Sequence, residues 1–173
     1  MKKLLFGSLI LTSFQLALAS QHELKAARAD LASPTVKDIK SQVSFTEIDE
    51  GIKVIASVSG LKPGAVHGFH VHEKGECKGP DFKSAGEHFN PTKHSHNSPA
   101  ALEAHKGDLG NLVANDKGVA KTEVIIKKDK DVNLSSFVGK ALILHDGPDD
   151  YSSQPSGNSG NRIACGIIKA NKS

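Results

Sequence analysis

The chain has 173 residues, with 22 Lys and Arg against 19 Asp and Glu, and a formal net charge of +3. This near balance argues against a nucleic-acid-binding protein, whose footprint is a basic excess. There is no Trp and only one Tyr, which argues against a stacking surface for bases or sugars. A chain of this length suits one domain with a sizeable core.

The first 19 residues have the three-part pattern of a secretory signal peptide. A short basic start precedes a mostly apolar stretch at residues 4–18, which ends in a small-x-small cleavage site at residues 17–19. A membrane anchor is the alternative, but the apolar stretch is short and interrupted by polar residues. We predict a mature chain that starts at Ser20 with a net charge of +1, because the removed segment holds two lysines and no acidic residue.

Behind the signal peptide at residues 1–19 we predict a flexible start at residues 20–26 and one domain at residues 27–173. The sequence of residues 22–32 is compatible with either a helix or a strand. It contains helix formers, yet three of its apolar residues alternate as they do in a strand, namely Ala27, Ala29 and Leu31.

Short apolar and β-branched runs recur along the rest of the chain and predict strands. They cover residues 42–47, 52–59, 69–72, 109–114, 119–126, 141–144 and 163–168. Turn signals at residues 49–51 and 115–118 predict two hairpins. Short strands at this spacing predict an all-β fold, either a sandwich or a barrel.

Two long stretches lack any strand pattern. Residues 73–104 are rich in Gly, Pro, Lys and His, and residues 146–161 are rich in Gly, Ser, Pro and Asp. Long irregular segments in a compact domain are usually functional or disordered. The histidines that lie in or beside both stretches favour two functional loops.

Seven of the nine histidines lie between His67 and His105. Residues two apart on a strand face the same way, so His70 and His72 project together and form a good chelate for copper or zinc. His145, at the end of an apolar run, is the third candidate ligand of that set.

A second set offers three nitrogens and one oxygen, which matches a closed tetrahedral zinc site. Its members are His88, His96, His105 and Asp108. Six histidines and one aspartate are too many for one metal site and the right number for two. Between His88 and His105 the chain also contains His94, a competing candidate.

The two cysteines, Cys77 and Cys165, predict one disulfide, because an even pair in an exported chain is usually oxidised. It would close a long loop and contribute up to about 4–5 kcal/mol in the chain-entropy model. Two free thiols acting as metal ligands are the alternative, which export disfavours.

Four stretches closely resemble the motifs of the copper,zinc superoxide dismutases and follow the order of that family. They are residues 67–73, 84–91, 105–111 and 161–166. The resemblance extends from about Ala27 to Ala170, nearly the whole mature chain. It implies a Greek-key β-barrel or immunoglobulin-like sandwich with two long functional loops. It also implies an enzyme that converts superoxide to oxygen and hydrogen peroxide by alternate reduction and reoxidation of copper.

The resemblance implies a role for each matching residue. The residues that would bind copper are His70, His72, His88 and His145. The residues that would bind zinc are His88, His96, His105 and Asp108. Asp149 would link a copper histidine to a zinc histidine and fix both rings.

The resemblance also implies that Arg162 and His88 are catalytic. Arg162 would dock the anion over the copper channel, and His88 would bridge the two metals as an imidazolate and supply a proton. Cys77 and Cys165 would form the disulfide of the family. Within the family pattern His96 is preferred over His94, because it precedes a proline by three residues and follows His88 by eight.

Departures from the animal enzymes resemble the bacterial periplasmic branch and, with the signal peptide, predict a periplasmic protein. The last loop is short and lacks the charged steering residues of the animal enzymes. Three lysines of the first loop could replace them or be ordinary solvated lysines, namely Lys74, Lys78 and Lys83. We expect superoxide as substrate, no nucleic-acid or membrane partner, and a homodimer whose interface, if one forms, differs from that of the animal enzymes.

Two other classes of protein fit part of the pattern. A copper carrier would keep the copper ligands without needing Arg162 or a full zinc site. A structural zinc domain would not need His70, His72 and His145 around an open position. The complete set of ligands favours the enzyme, and the complete zinc set disfavours a copper-only relative.

Overall fold

The computed structural model describes residues 24–171, so the predicted signal peptide and residues 20–23 lie outside the described residues. The described part contains nine strands and two short 3₁₀ turns. The strands are β1 (Ala26–Ala29), β2 (Lys40–Ile48), β3 (Gly51–Ser59), β4 (Val66–His72), β5 (Asp108–Val113), β6 (Ala120–Lys127), β7 (Ala141–His145), β8 (Arg162–Ile167) and β9 (Lys169–Ala170). Across residues 24–171, no helix has the length and apolar character needed to cross a membrane.

The strands form two antiparallel sheets. One has the order β6-β3-β2-β1-β9, and the other has the order β5-β4-β7-β8. Strand β7 returns to lie beside β4 after β5 and β6, which is a Greek-key connection. A bridge between Ala114 and Ala120 continues β5 into β6 across the two sheets. The prediction of an all-β Greek-key fold is confirmed.

Strand β1 lies within residues 22–32, whose sequence was compatible with either a helix or a strand. Ala27, Ala29 and Leu31 point into the core with exposed fractions of 0, 1 and 5%. Within the expected flexible start at residues 20–26, Leu24 packs against the core and Ala26 is the first residue of β1. The other predicted strands correspond to β2 through β8, whereas β9 and the 3₁₀ turns were not predicted.

Strands β4 and β7 are buried on both faces. Their core side carries Phe69, Val71, Leu142 and Leu144, which pack between the two sheets. The opposite face of this sheet is covered by two connections that we name the first loop (residues 73–107) and the second loop (residues 146–161). Polar side chains on that face are therefore removed from bulk water.

The first loop is tied to the sheet by a disulfide. Cys77 and Cys165 are bonded across 88 residues of sequence, with a Cα–Cα distance of 5.7 Å. Beside this link, Phe82 and Ala85 pack on Ile143 in a small second hydrophobic cluster. The alternative of two free thiols does not hold, because both cysteines are consumed in the disulfide.

Candidate metal centre

Strand β4 presents two histidines toward the loops. Alternation sends Phe69 and Val71 into the core, so His70 and His72 project from the opposite face, with exposed fractions of 0% and 1%. His145 ends the neighbouring strand β7, and its ring centroid lies 5.0 Å from that of His70. Strand pairing therefore brings these three imidazoles together.

His88 reaches the same place through a short backbone bridge to β4. The Phe89 N–H donates to the Val71 carbonyl at 2.8 Å, and His88 pairs with His72. Asp108, the first residue of β5, lies on the other side of His88, with its Oδ1 2.9 Å from His88 Nδ1. His88 thus lies between two groups of ligand atoms.

The four-histidine cluster consists of His70, His72, His88 and His145. One ligand atom from each lies within 4.8 Å of all the others. Each ring also has a buried nitrogen without a hydrogen-bond partner, which is Nδ1 in His70 and Nε2 in the other three. Four orphaned acceptors at one point are costly in a buried site. A metal ion would satisfy all four.

The opposite nitrogen of each ring is held by a neighbour. His72 Nδ1 donates to the Gly86 carbonyl at 2.9 Å, and His145 Nδ1 lies 3.4 Å from the Gly160 carbonyl. Such contacts fix the tautomer and the orientation of a ring and leave its other nitrogen for a metal. The four-histidine cluster therefore fits a nitrogen-liganded ion such as copper.

The Asp108 cluster consists of His88, His96, His105 and Asp108. The Nδ1 atoms of its three histidines lie 2.9, 3.0 and 3.4 Å from Asp108 Oδ1. His96 and His105 have no hydrogen-bond partner at Nδ1, because these approaches lack hydrogen-bond geometry. Ligands bound at about 2.0–2.1 Å in a tetrahedron stand roughly 3.3 Å apart. The cluster therefore fits zinc.

Asp149 joins the two clusters. Its Oδ2 accepts from His70 Nε2 and its Oδ1 accepts from His96 Nε2, both at 2.8 Å. The Asn111 side chain holds the Asp149 backbone, since it donates to the Asp149 carbonyl at 2.9 Å and accepts from the Asp149 N–H at 2.8 Å. The sequence pattern gave Asn111 no role, although it ends one of the four motifs.

Burial and close contacts set the charges of His88, His145 and Asp108 in the metal-free protein. Burial lowers the pKa of His88 to about 4 and that of His145 to about 3. Burial alone would raise the pKa of Asp108, but its close contacts with His105, His88 and His96 hold that pKa well below its usual range. These imidazoles are neutral and this carboxylate is charged, which are the states that metal ligands require.

Arg162 begins β8 at the rim of the four-histidine cluster. Its guanidinium donates to the Phe82 carbonyl at 2.9 Å and to the Gly86 carbonyl at 2.7 Å. Gly86 also accepts from His72, so one carbonyl fixes both side chains. Burial chiefly lowers the pKa of His72, and the nearby charge of Arg162 adds to that effect.

The structure brings His96, rather than His94, into the Asp108 cluster. His94 is half-buried, and its backbone is held by Asn90, which accepts from the His94 N–H at 3.1 Å and donates to its carbonyl at 2.8 Å. His67 lies next to the centre without joining it, and its Nδ1 donates to the His145 carbonyl at 2.7 Å.

The three lysines considered as steering groups each have an acidic neighbour. The distances between the charged atoms are 3.9 Å for Lys74–Glu73, 2.9 Å for Lys78–Glu76 and 3.4 Å for Lys83–Asp81. Such exposed pairs contribute little to stability, but they cancel charge locally. This part of the first loop therefore has little net positive charge to attract an anion.

Fold and site together define a class of proteins with a binuclear metal centre. A Greek-key barrel holds two buried ligand clusters that share one imidazole, and a fixed guanidinium lies at their rim. The shared ring of His88 makes the clusters one centre.

Comparison with known proteins gives the family. The family model described as copper/zinc superoxide dismutase matches residues 39–168. "Superoxide dismutase [Cu-Zn] 2" of Aquifex aeolicus is 40% identical over 177 residues, which covers 98% of this chain and 100% of that protein. The chain therefore belongs to the copper/zinc superoxide dismutase family, whose members are oxidoreductases that use copper and zinc.

Two further proteins are also similar to this chain. "Superoxide dismutase-like protein YojM" of Bacillus subtilis is 43% identical over 140 residues, with 75% of this chain and 70% of that protein covered. A crystal structure of the clock protein EA4 superposes with a TM-score of 0.73 at 36% identity, and covers 85% of this chain and 95% of that one. The bacterial character of the resemblance is borne out by the Aquifex and Bacillus relatives.

Proposed function

We propose that this superoxide dismutase binds copper at the four-histidine cluster and zinc at the Asp108 cluster, and that it removes superoxide outside the cytoplasm. The observation that carries the proposal is that the described residues have seven buried imidazole nitrogens without hydrogen-bond partners, and all of them except His67 Nε2 belong to these two clusters. The catalytic residues of the proposal are Arg162 and His88, and Asp149 positions the ligand rings.

Bound copper supplies the one-electron couple that oxidises one superoxide to oxygen and reduces a second to peroxide, while zinc takes no part in electron transfer. The net reaction consumes two superoxide ions and two protons. His88 Nε2 faces the four-histidine cluster and has no hydrogen-bond partner there, so this nitrogen can take up a proton from water and pass it on. His88 supplies one proton to the peroxide, and water supplies the other.

Arg162 docks the anion. An arginine has five N–H donors, and two carbonyls hold its guanidinium in place at the rim. The remaining donors can make charge-assisted hydrogen bonds to superoxide, which are stronger than neutral ones. Because the guanidinium is already fixed, little side-chain freedom is lost when the anion arrives.

The test compares superoxide dismutation by the mature chain, loaded with one copper and one zinc, with that of Arg162→Ala and His88→Ala. Loss of one charge-assisted hydrogen bond should lower kcat/KM of Arg162→Ala by roughly 10- to 100-fold. The wild-type rate should fall as salt rises, because salt screens the attraction of the anion. Activity of His88→Ala should fall further, since both clusters lose a ligand.

Arg28→Ala is the matched control, because Arg28 is the other arginine of the chain and lies on β1, in the opposite sheet. Its activity should equal that of the wild type. Tight metal binding with no dismutation above that of free copper would contradict the enzyme and favour a copper carrier. Zinc binding without copper binding would favour a structural zinc domain.

Export and self-association complete the proposal. The N-terminal pattern supports cleavage after Ala19 and a periplasmic location, which the intact mass of the protein recovered from the periplasm tests.

We also propose a homodimer with an interface unlike that of the animal enzymes. Among the described residues, Leu102 and Val113 are large apolar side chains with exposed fractions of 89% and 61%. Sedimentation at several concentrations tests this association.

A further inference from the structure

We propose that Gln154 is a positioning residue of the zinc site and holds the ligand His96 by its backbone. The proposal rests on zinc binding at the Asp108 cluster, as proposed above. Gln154 belongs to the second loop and His96 to the first, 58 residues apart in sequence. Their contact therefore joins the two loops at a metal ligand.

The side-chain amide of Gln154 forms two hydrogen bonds with one residue. The His96 N–H donates to Gln154 Oε1 at 2.8 Å, and Gln154 Nε2 donates to the His96 carbonyl at 2.8 Å. A neighbouring strand would make the same pair of bonds. Residues 93–98 have no helix or strand of their own. Gln154 therefore supplies a constraint that secondary structure does not supply here.

The ring of His96 is held separately from its backbone. Its Nε2 donates to Asp149 Oδ1 at 2.8 Å, and its Nδ1 faces Asp108 Oδ1 at 3.0 Å. With the two bonds from Gln154, the N–H, the carbonyl and one ring nitrogen of His96 are all fixed. The remaining nitrogen is thereby aimed at the zinc position.

Gln154 is itself presented by an ordered turn. The Asp150 carboxylate accepts from the N–H groups of Ser152 and Ser153 at 2.9 and 2.8 Å. The Asp150 N–H donates to the Gly157 carbonyl at 2.9 Å, and the Gly157 N–H donates to the Ser153 carbonyl at 2.7 Å. Because the turn closes on itself, less conformational entropy is lost when Gln154 bonds to His96.

Gly157 allows this turn to lie directly against the centre. Its φ is +68°, and a Cβ there would overlap Asp149 Oδ1 and crowd His96 Nε2. No larger residue fits without displacing the bond between Asp149 and His96. Contact with Asp149 and His96 therefore sets the position of the turn. The same turn supports His96 through Gln154.

The experiment uses the mature protein loaded with copper and zinc, and compares the wild type with Gln154→Met and Gln154→Glu. Methionine keeps the side-chain length and removes both hydrogen bonds, whereas glutamate keeps the acceptor for the His96 N–H. Zinc release to a chelator should be about tenfold faster in Gln154→Met, at the lower end of the range for groups that support a metal ligand. Gln154→Glu should lie between the two.

Two further readouts separate positioning from a general loss of stability. The His96 amide should exchange its hydrogen faster in Gln154→Met and remain protected in Gln154→Glu, because only methionine lacks the acceptor. Copper release should change less than zinc release, since Gln154 bonds to no residue of the four-histidine cluster. Gln42→Met, on the exposed face of β2, is the matched control and should behave as the wild type.

The outcomes are distinct. A wild type that does not retain zinc would contradict the proposed function itself. A wild type that retains zinc while Gln154→Met releases it at the same rate would overturn the role of Gln154. Equal acceleration of copper and zinc release would also overturn it, because general destabilisation would then explain both.

Discussion

His88 is the residue that makes one centre of two clusters. Its Nδ1 faces Asp108 at 2.9 Å, while its Nε2 is orphaned among the other imidazoles of the four-histidine cluster. Burial is the largest influence on its pKa and favours the neutral ring. The neutral ring is therefore the form that His88 adopts in the metal-free protein at neutral pH.

Acidification should lower the free energy of unfolding of the metal-free protein. Burial lowers the pKa of His88 to about 4 and of His145 to about 3, from an ordinary value of 6.5. The unfolded chain therefore binds these protons more readily than the folded chain. The stability contributed by the neutral rings is complete above pH 6.5 and is lost as the pH falls toward 4 and 3.

His96 has the opposite dependence. Burial acts to lower its pKa, but the close carboxylates of Asp108 and Asp149 raise the pKa to about 9. Its contribution is complete below pH 6.5 and is lost as the pH rises through 9. Thermal unfolding of the chelator-treated protein should therefore give its highest midpoint near pH 6.5. Metal loading should shift the loss of stability on the acid side to lower pH. An unfolding midpoint of the metal-free protein that stays constant from pH 4 to 6.5 would contradict the prediction.

At the level of elements, β4 is the strand that positions the centre. Its core face supplies Phe69 and Val71, and its opposite face supplies His70 and His72. A soluble barrel usually exposes that outer face, and here the two loops cover it. One strand thus contributes both to the hydrophobic core and to the metal centre.

The first loop is also held from the side by β6. Lys127 Nζ donates to the carbonyls of Ala100 and Ala101 at 2.8 and 3.3 Å, shortly after the ligand His96. Lys106, which follows the ligand His105, donates to the Lys127 carbonyl at 3.3 Å. These contacts anchor the zinc end of the loop to the other sheet.

Lys127→Met should loosen this end of the loop. Loss of hydrogen bonds worth about 1 kcal/mol should accelerate hydrogen exchange of residues 98–104 roughly fivefold. Exchange measured by mass spectrometry on the metal-loaded protein checks this. Lys128→Met is the control, since this neighbouring lysine is also exposed. Equal exchange in the two variants would show that Lys127 does not anchor the loop.

On the scale of the whole molecule, the disulfide joins the first loop to the last long strand. The first loop supplies the carbonyls of Phe82 and Gly86, which fix Arg162 on β8. Cys77 and Cys165 fasten the same two segments together. The position of the Arg162 guanidinium therefore depends on a covalent link outside the candidate metal centre.

Removal of the disulfide should lower the free energy of unfolding by up to about 4–5 kcal/mol in the chain-entropy model, since it closes a loop spanning 88 residues. Urea unfolding of the metal-free Cys77→Ala/Cys165→Ala variant measures the change. The reduced wild type is the control and should agree with the variant. Dismutation should also fall, because Arg162 loses part of its support. A change below about 1 kcal/mol would contradict the prediction.

The residues of the two candidate ligand clusters could be picked out from the sequence because their signals are local. Alternation on one strand places His70 beside His72, and short motifs contain His88 and Asp108. The supporting contacts have no such signal. Asn111 bonds to Asp149 across 38 residues, and Gln154 bonds to His96 across 58. Nothing in the neighbourhood of either amide indicates its partner.

The sequence alone therefore determined the all-β class, the two sets of candidate ligands and the pair of cysteines, since periodicity, residue chemistry and motif order are properties of the chain itself. Only the tertiary structure decided that residues 26–29 form a strand, that acidic neighbours offset the charges of the first-loop lysines, and that Gln154 supports a ligand. These features depend on which distant segments pack together. The packing of these segments depends on contacts throughout the barrel, and a short stretch of sequence does not specify those contacts.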